Sequence, residues 1–290
     1  MDNRDEIRTF LTTRRAKITP ERAGLVVHGT RRVPGLRRGE VSGLAGVSAE
    51  YYAHLERGNL GGVSESVLHA LATALQLDEA ERAHLQDLAR AAGPAARTRR
   101  RPAPQGVRAG LRRVVDGLGD LPAYVRNGRL DLLVFNRMAR ALYGPVFDTP
   151  RSAGQEPNTA RFTFLDDRAR DFWADWSRAA DETVAILRTE AGRDPFDKGL
   201  SDLVGQLSTR SEEFRTRWAA HDVRLHSTGA KHYHHPVVGD LELAYESLQP
   251  AADPGLTLLV FSAEPGTASH DGLRLLSSWA ASPTLARRES

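Results

Sequence analysis

No cysteine occurs among the 290 residues. That excludes disulfides, thiolate zinc sites and cysteine nucleophiles together, and it fits a reducing compartment. Lysine is almost as scarce, at Lys17, Lys198 and Lys231 only, so arginine carries nearly all of the basic charge. No stretch approaches the ~20 consecutive apolar residues that cross a bilayer. The opening MDNRDEIRTFLTTRR has no apolar h-region and does not read as a secretory signal. A cytoplasmic protein with no membrane attachment is expected. There is no G-x-S-x-G elbow, no G-x-x-x-x-G-K-[ST] phosphate loop and no H-E-x-x-H. Ser201, Ser208, Ser211 and Ser227 are scattered polar serines with no distinguishing context. Catalysis is unsupported, and neither an enzyme nor a cofactor is expected.

What is present is an ordinary globular composition, 40% hydrophobic and 27% charged, in a chain long enough for two domains. The net charge of +3 is unevenly spread. Residues 1–101 hold 17 Lys+Arg against 12 Asp+Glu, and the remainder holds 23 against 25. A basic excess in the first third suits a polyanionic partner, although an arginine-rich composition accounts for it as well.

A helical pattern runs from Glu6 to about Arg15, with Ile7, Phe10 and Leu11 on one face. Pro34-Gly35 signals a turn. Residues 36–45 read as a helix, Gly46 breaks it, and a second helix runs from Ala49 to Arg57 and stops at Gly58. Ser64 and Glu65 open another helix bearing Val67, Leu68, Leu71 and Leu75, and Asp78 N-caps one that ends at Ala92. Five short helices make residues 1–92 an all-α domain. Residues 93–105, GPAARTRRRPAPQ, form an extended linker.

Residues 106–290 change character. A helix near Val107–Leu118 leads to Asn127-Gly128, a strong hairpin signal between two apolar-rich runs. Helices rich in aromatics follow. Strands then return: Leu241, Leu243 and Tyr245 alternate, and Asp253-Pro254-Gly255 turns the chain into LTLLVFSA. The pattern is an antiparallel meander beside helices, an α+β domain.

The segment Arg38–Arg57 meets the requirements of a helix-turn-helix. Ser42 is small enough for the close helix crossing. Gly46 supplies the positive φ of the turn. Val41, Leu44, Val47, Tyr52 and Leu55 have the spacing to seal the interior, and Ser48 is a good N-cap. Ala49, Glu50, Ala53, His54 and Arg57 are then left facing outward. In this motif the N-terminus of the second helix enters the major groove, so Ala49 and Glu50 stand nearest the base edges. Glu50 is suited to cytosine N4 and Ala49 to a thymine methyl. His54 has a base or a phosphate within reach, whereas Arg37, Arg38 and Arg57 are placed for phosphates. For Tyr51, phosphate contact and packing both stay open. The DNA-binding set is completed by Ser48 at the helix start.

The stretch VPGLRRGEVSGLAGVSAEYYAHLERGNLGGVSESVLHALATAL resembles the lambda-repressor-like, xenobiotic-response-element (XRE) family of helix-turn-helix regulators. Beyond the linker, PAYVRNGRLDLLVFNRMARALYG, LVGQLSTRSEEFRTRWAAHDVRLHSTGAKHYHHPVVGDLELAYESL and VFSAEPG resemble the MmyB-like ligand-binding domain of bacterial, mainly actinobacterial, transcription regulators. The resemblance implies a five-helix DNA-binding domain followed by a PAS-like domain with an antiparallel sheet. It further implies a homodimer on double-stranded DNA and, as in some relatives, a fatty-acid-like ligand. Gly39 and Gly43 depart from the family, where Glu and Gln are commoner, so base preference is not carried over. Each glycine also weakens its helix by about 1 kcal/mol relative to alanine.

In residues 106–290, Phe135, Met138, Trp173, Trp176, Phe214, Trp218, Tyr233, Tyr245 and Phe261 are candidates to line an apolar cavity, although ordinary core packing is the better explanation of any single one. Arg137, His221 or His234 are candidate carboxylate anchors. His226, His232, His234 and His235 cluster around Tyr233. On a strand, His232 and His234 share one face and His235 takes the other. No spacing fixes a third zinc ligand, so no metal site is assigned. The expected function is a sequence-specific DNA-binding regulator controlled by a small apolar or fatty-acid-like ligand. The alternative is a constitutive DNA binder whose second domain serves dimerisation or protein interaction.

Overall fold

The computed structural model describes residues 3–26, 31, 33, 35–93, 106–219 and 228–281. The chain divides into two compact units. The first comprises Met1–Arg101 with Val184–Asp202 and Thr216–Leu225, and the second Pro102–Thr183, Leu203–Arg215 and His226–Ser290.

The first unit opens with α1 (Asn3–Lys17), α2 (Arg38–Ala45), α3 (Ala49–Glu56), α4 (Glu65–Ala74) and α5 (Glu79–Ala92). Each presents an apolar stripe to one core. Ile7, Phe10 and Leu11 of α1 meet Val41, Tyr52, Leu55, Leu71 and Leu88, all fully buried or nearly so. Side chains of this size each contribute about 1.5–3 kcal/mol on burial. Capping places the ends. Asp78 Oδ1 accepts from the Glu81 N–H at 2.8 Å while the Glu81 carboxylate accepts from the Asp78 N–H, a reciprocal box that starts α5. Helix α2 starts at Arg38, two residues later than the periodicity suggests, because Arg37 is extended and its N–H binds the Glu40 carboxylate at 2.6 Å.

Helices α11 (Trp176–Arg193), α12 (Lys198–Arg210) and α13 (Glu212–Ala219) are each divided between the units. Within the first unit, buried Arg188 donates to the Glu6 carboxylate at 2.5 Å, and its guanidinium lies 4.2 Å from the centre of the Trp218 ring. Buried charge needs this pairing to be tolerated.

The second unit contains α6 (Ala109–Gly117), β1 (Ala123–Asn127), β2 (Leu132–Phe135), α7 (Arg137–Leu142), α8 (Gly144–Phe147), α9 (Thr159–Leu165), α10 (Ala169–Phe172), β3 (Thr228–His235), β4 (Gly239–Leu248), β5 (Leu256–Ser262) and α14 (Ala268–Ala280). Its five strands form one antiparallel sheet in the order β2-β1-β5-β4-β3. The expected meander holds for β3, β4 and β5, and the β1–β2 hairpin joins it through β5. Ala123, Val125 and Leu258 face Leu111 and Val115 of α6. Tyr124, Leu259 and Phe261 face the opposite way, into a large aromatic cluster.

The hairpin at Asn127 forms, but not by a two-residue Asn-Gly turn. Four residues separate the strands, and Leu130 rather than Gly128 takes the positive φ, 67°. The Asn127 side chain organises the loop, its Oδ1 accepting from the N–H groups of Arg129 and Asp131 at 2.9 and 3.0 Å. Asparagine's habit of binding the backbone two residues on explains the difference. Residues 94–105 of the expected linker, Pro34, His221 and His226 lie outside the described residues.

Candidate nucleic-acid interface and ligand core

In α2 and α3, local chemistry sets the angle of the motif. Ser42 is buried at the crossing and Gly46 has φ 65°, a conformation L side chains rarely adopt. Ser48 Oγ accepts from the Tyr51 N–H at 3.0 Å and starts α3. Val41, Tyr52 and Leu55 are fully buried and Val47 is half-buried, in line with the spacing. Leu44 is not: it is 40% exposed. The inward arc of this two-turn helix is taken by Val41, Ser42 and Ala45. At 100° per residue, Leu44 falls beyond its edge.

Of the residues assigned to DNA, Arg37, Arg38, Ser48, Ala49, Glu50, Tyr51, His54 and Arg57 are exposed and Ala53 is half-buried. Ala49, Glu50, Ala53, His54 and Arg57 follow the i, i+1, i+4, i+5, i+8 rhythm of one helix stripe. A buried acid, absent from the sequence-based set, lies behind the stripe. Glu56 accepts from Thr12 Oγ1 at 2.9 Å, Arg15 Nη2 at 2.6 Å and Arg38 Nε at 2.8 Å. Burial works against its charge, but the hydrogen bonds from Arg15 and Arg38 outweigh burial and hold its carboxyl below the usual range. Arg38 is gripped at Nε while its side chain stays 59% exposed. The sequence did carry a signal: an acid beside Leu55, four residues after Tyr52, sits on the inward stripe and needs a partner. Arg31 makes a bidentate pair with Glu40 at 2.6 and 2.9 Å. That pair is the main cause of a Glu40 carboxyl held down to about 2.

In the second unit, the structure gathers Met138, Trp173, Tyr233, Tyr245 and Phe261 into one buried cluster, with Phe135 and Trp176 packed against it. Tyr124, Tyr143, Phe147, Phe162 and Phe172 are its other aromatic members, and sequence reasoning missed these five. Tyr143 and Tyr233 meet through their hydroxyls at 2.9 Å. Two expected members go elsewhere. Phe214 packs edge-on against Phe164, ring centres 5.0 Å apart. Trp218 falls in the first unit, against Arg188.

Two of the expected polar anchors, Arg137 and His234, are on the surface. His234 is exposed and pairs with Asp240 at 2.6 Å, and Arg137 is exposed beside Asp120. His232 also faces out, 4.0 Å from Glu242, while His235 faces in and binds the Ala141 carbonyl. Burial lowers the His235 imidazole below its ordinary value, so it sits neutral as a packing residue. Among the described residues no group of three metal-ligating side chains converges. A surface groove is lined in part by Trp173, Arg178, Ala179, Glu182 and Lys231. The Lys231 ammonium binds Glu182 at 3.0 Å and lies 5.7 and 5.5 Å from the Trp173 and Tyr245 ring centres.

Two family models match the chain. One, described as an MmyB-like transcription regulator ligand binding domain, matches residues 107–276, and a helix-turn-helix domain matches residues 10–85. No curated protein matches the chain. Among the described residues no helix is long and apolar enough to cross a membrane.

Proposed function

Because the chain belongs to the family of the MmyB-like transcription regulator ligand binding domain and carries a helix-turn-helix domain, we propose that it is a sequence-specific regulator whose grip on DNA is set by a small apolar or fatty-acid-like ligand. That it is a DNA-binding transcription regulator with a ligand-binding domain, and not an enzyme, follows from the two families. The proposal adds the residues and the ligand. The carrying observation is the outward stripe of α3, with Glu50 and His54 exposed and Glu56 holding the helix from behind. Ala49 and Glu50 read bases; Arg37, Arg38 and Arg57 bind phosphates. We assign residues 1–92 to a lambda-repressor-like, XRE-type DNA-binding domain, 93–105 to a linker and 106–290 to a PAS-like sensor.

The regulator acts as a homodimer in the cytoplasm of a bacterium, in our reading an actinobacterium. Ligand favours one spacing of the two recognition helices, which must match half-sites a helical turn apart. A band-shift titration with upstream DNA, run with and without a panel of apolar and fatty-acid-like compounds, tests this. The expected result is a ligand-dependent shift in apparent affinity. No shift across a broad panel would leave a constitutive DNA binder. One observation favours that second reading: the aromatic cluster is filled by its own side chains, and Leu275 and Trp279 of α14 are exposed, as a dimerisation or protein-interaction face needs.

A further inference from the structure

Three helices of the first unit meet at one carboxylate. Glu56, the last residue of α3, is 1% exposed. Its Oε1 accepts from Thr12 Oγ1 at 2.9 Å and from Arg15 Nη2 at 2.6 Å, both on α1. Its Oε2 accepts at 2.8 Å from Nε of Arg38, the first residue of α2. The two oxygens thus have separate duties. Arg15 is itself anchored: its Nη1 donates to the Leu36 carbonyl at 2.9 Å, and its side chain is 15% exposed. It supplies the counter-charge that a buried carboxylate needs. Two guanidiniums around one carboxylate leave one positive charge over, and that charge reaches solvent on Arg38, whose side chain is 59% exposed. Glu56 holds the Arg38 guanidinium by the nitrogen nearest its stem. The two terminal nitrogens have no hydrogen-bond acceptor among the described residues. They form the fork that fits two phosphate oxygens. Arg31 shows the opposite use, since both of its terminal nitrogens are spent on Glu40.

We infer that Glu56 is a positioning residue for the DNA backbone: from inside the fold it fixes the Arg38 guanidinium so that the terminal fork meets a phosphate. The inference rests on the reading of Arg38 as a phosphate contact and adds the residue that sets its geometry. A long side chain gives up rotamer freedom when it binds, and one already held gives up less. Glu56 touches no DNA itself, and its charge acts in two opposing ways. At long range an anion in the DNA-binding unit repels phosphate, so removing it tightens binding. At short range removing it releases the fork, so binding weakens. The second effect prevails because Arg15 already neutralises the carboxylate.

The test is salt-titrated binding of the full chain to a mixed-sequence duplex, where phosphate contacts dominate. Arg38→Ala weakens binding about three- to tenfold and lowers the log–log salt slope by about one. Glu56→Gln keeps the size of the side chain, removes the charge and weakens binding about three- to fivefold. In the Arg38→Ala background the same change alters affinity less than about twofold, because the side chain it positions is gone. Circular dichroism at the assay temperature checks that each variant is folded. Arg38→Lys serves if Glu56→Gln does not fold. It keeps the charge on an exposed side chain but has one nitrogen for two tasks, and it binds at least about threefold more weakly than the parent chain. Unchanged or tighter binding by Glu56→Gln, an equal loss in both backgrounds, or full affinity in Arg38→Lys overturns the inference. Where Arg38→Ala still weakens binding, the phosphate reading survives that result. An Arg38→Ala variant that binds like the parent removes the phosphate reading and the inference together.

Discussion

In α3 the residues assigned to DNA and the residues that hold the helix are different sets, except for the capping Ser48, which belongs to both. Ala49, Glu50, His54 and Arg57 face outward; Tyr52, Leu55 and Glu56 face in. In the aromatic cluster of the second unit the two sets coincide. Trp173, Tyr233 and Tyr245, proposed as ligand contacts, are also core. Away from Ser48, the function assigned to the helix can be removed without touching stability, whereas truncating a ring to remove the function proposed for the cluster also unpacks it.

Five substitutions break or sharpen that contrast. Trp173→Ala has the largest expected effect, a loss of about 3–5 kcal/mol in urea unfolding followed by near-ultraviolet circular dichroism. A loss below about 1 kcal/mol, with ligand response abolished, would show that sensing and packing are separable after all. Next comes Glu56→Ala, which leaves Arg15 and Arg38 without their shared acceptor and costs about 2–3 kcal/mol. Glu50→Ala on the exposed stripe stays within about 0.5 kcal/mol, and a comparable loss in the two variants would erase the division of labour within α3. Ser48→Ala removes the cap of α3 and costs about 1 kcal/mol, read as a lower thermal midpoint. The smallest effect is in acid. The Glu40 carboxyl is held down to about 2 in the folded chain, against about 4.3 for an unperturbed glutamate. Its contribution is complete above that ordinary value and is lost as pH falls toward 2. Glu40→Gln flattens the acid limb of a helicity titration in that window, and an unchanged limb counts against the Arg31–Glu40 pair.

The contrast also explains what the sequence made legible. Helix caps and turns are local, so Ser48, Asp78 and Gly46 could be read from neighbours a few residues away. Leu44 was misread because a two-turn helix has a narrow inward arc, and apolar type alone does not say which side of its edge a residue falls. The hairpin at Asn127 was legible but its turn was not, since the Asn127 side chain rather than Gly128 shapes the loop. The cluster is non-local: Tyr143 and Tyr233 are ninety residues apart, and no spacing rule links them. Phe214 and Trp218 stand one helical turn apart on α13, yet they pack in different units. Aromatic composition announced a core of this kind without saying which rings meet.

The assignment of α3 to the major groove is tested most directly by salt-titrated binding of the full chain to matched and mismatched duplexes, comparing Arg38→Ala with Glu50→Ala. Arg38→Ala weakens both duplexes alike and reduces the log–log salt slope by about one. Glu50→Ala leaves the slope intact and changes the matched-to-mismatched ratio by about 1–3 kcal/mol. Identical behaviour of the two variants on both duplexes would contradict the account.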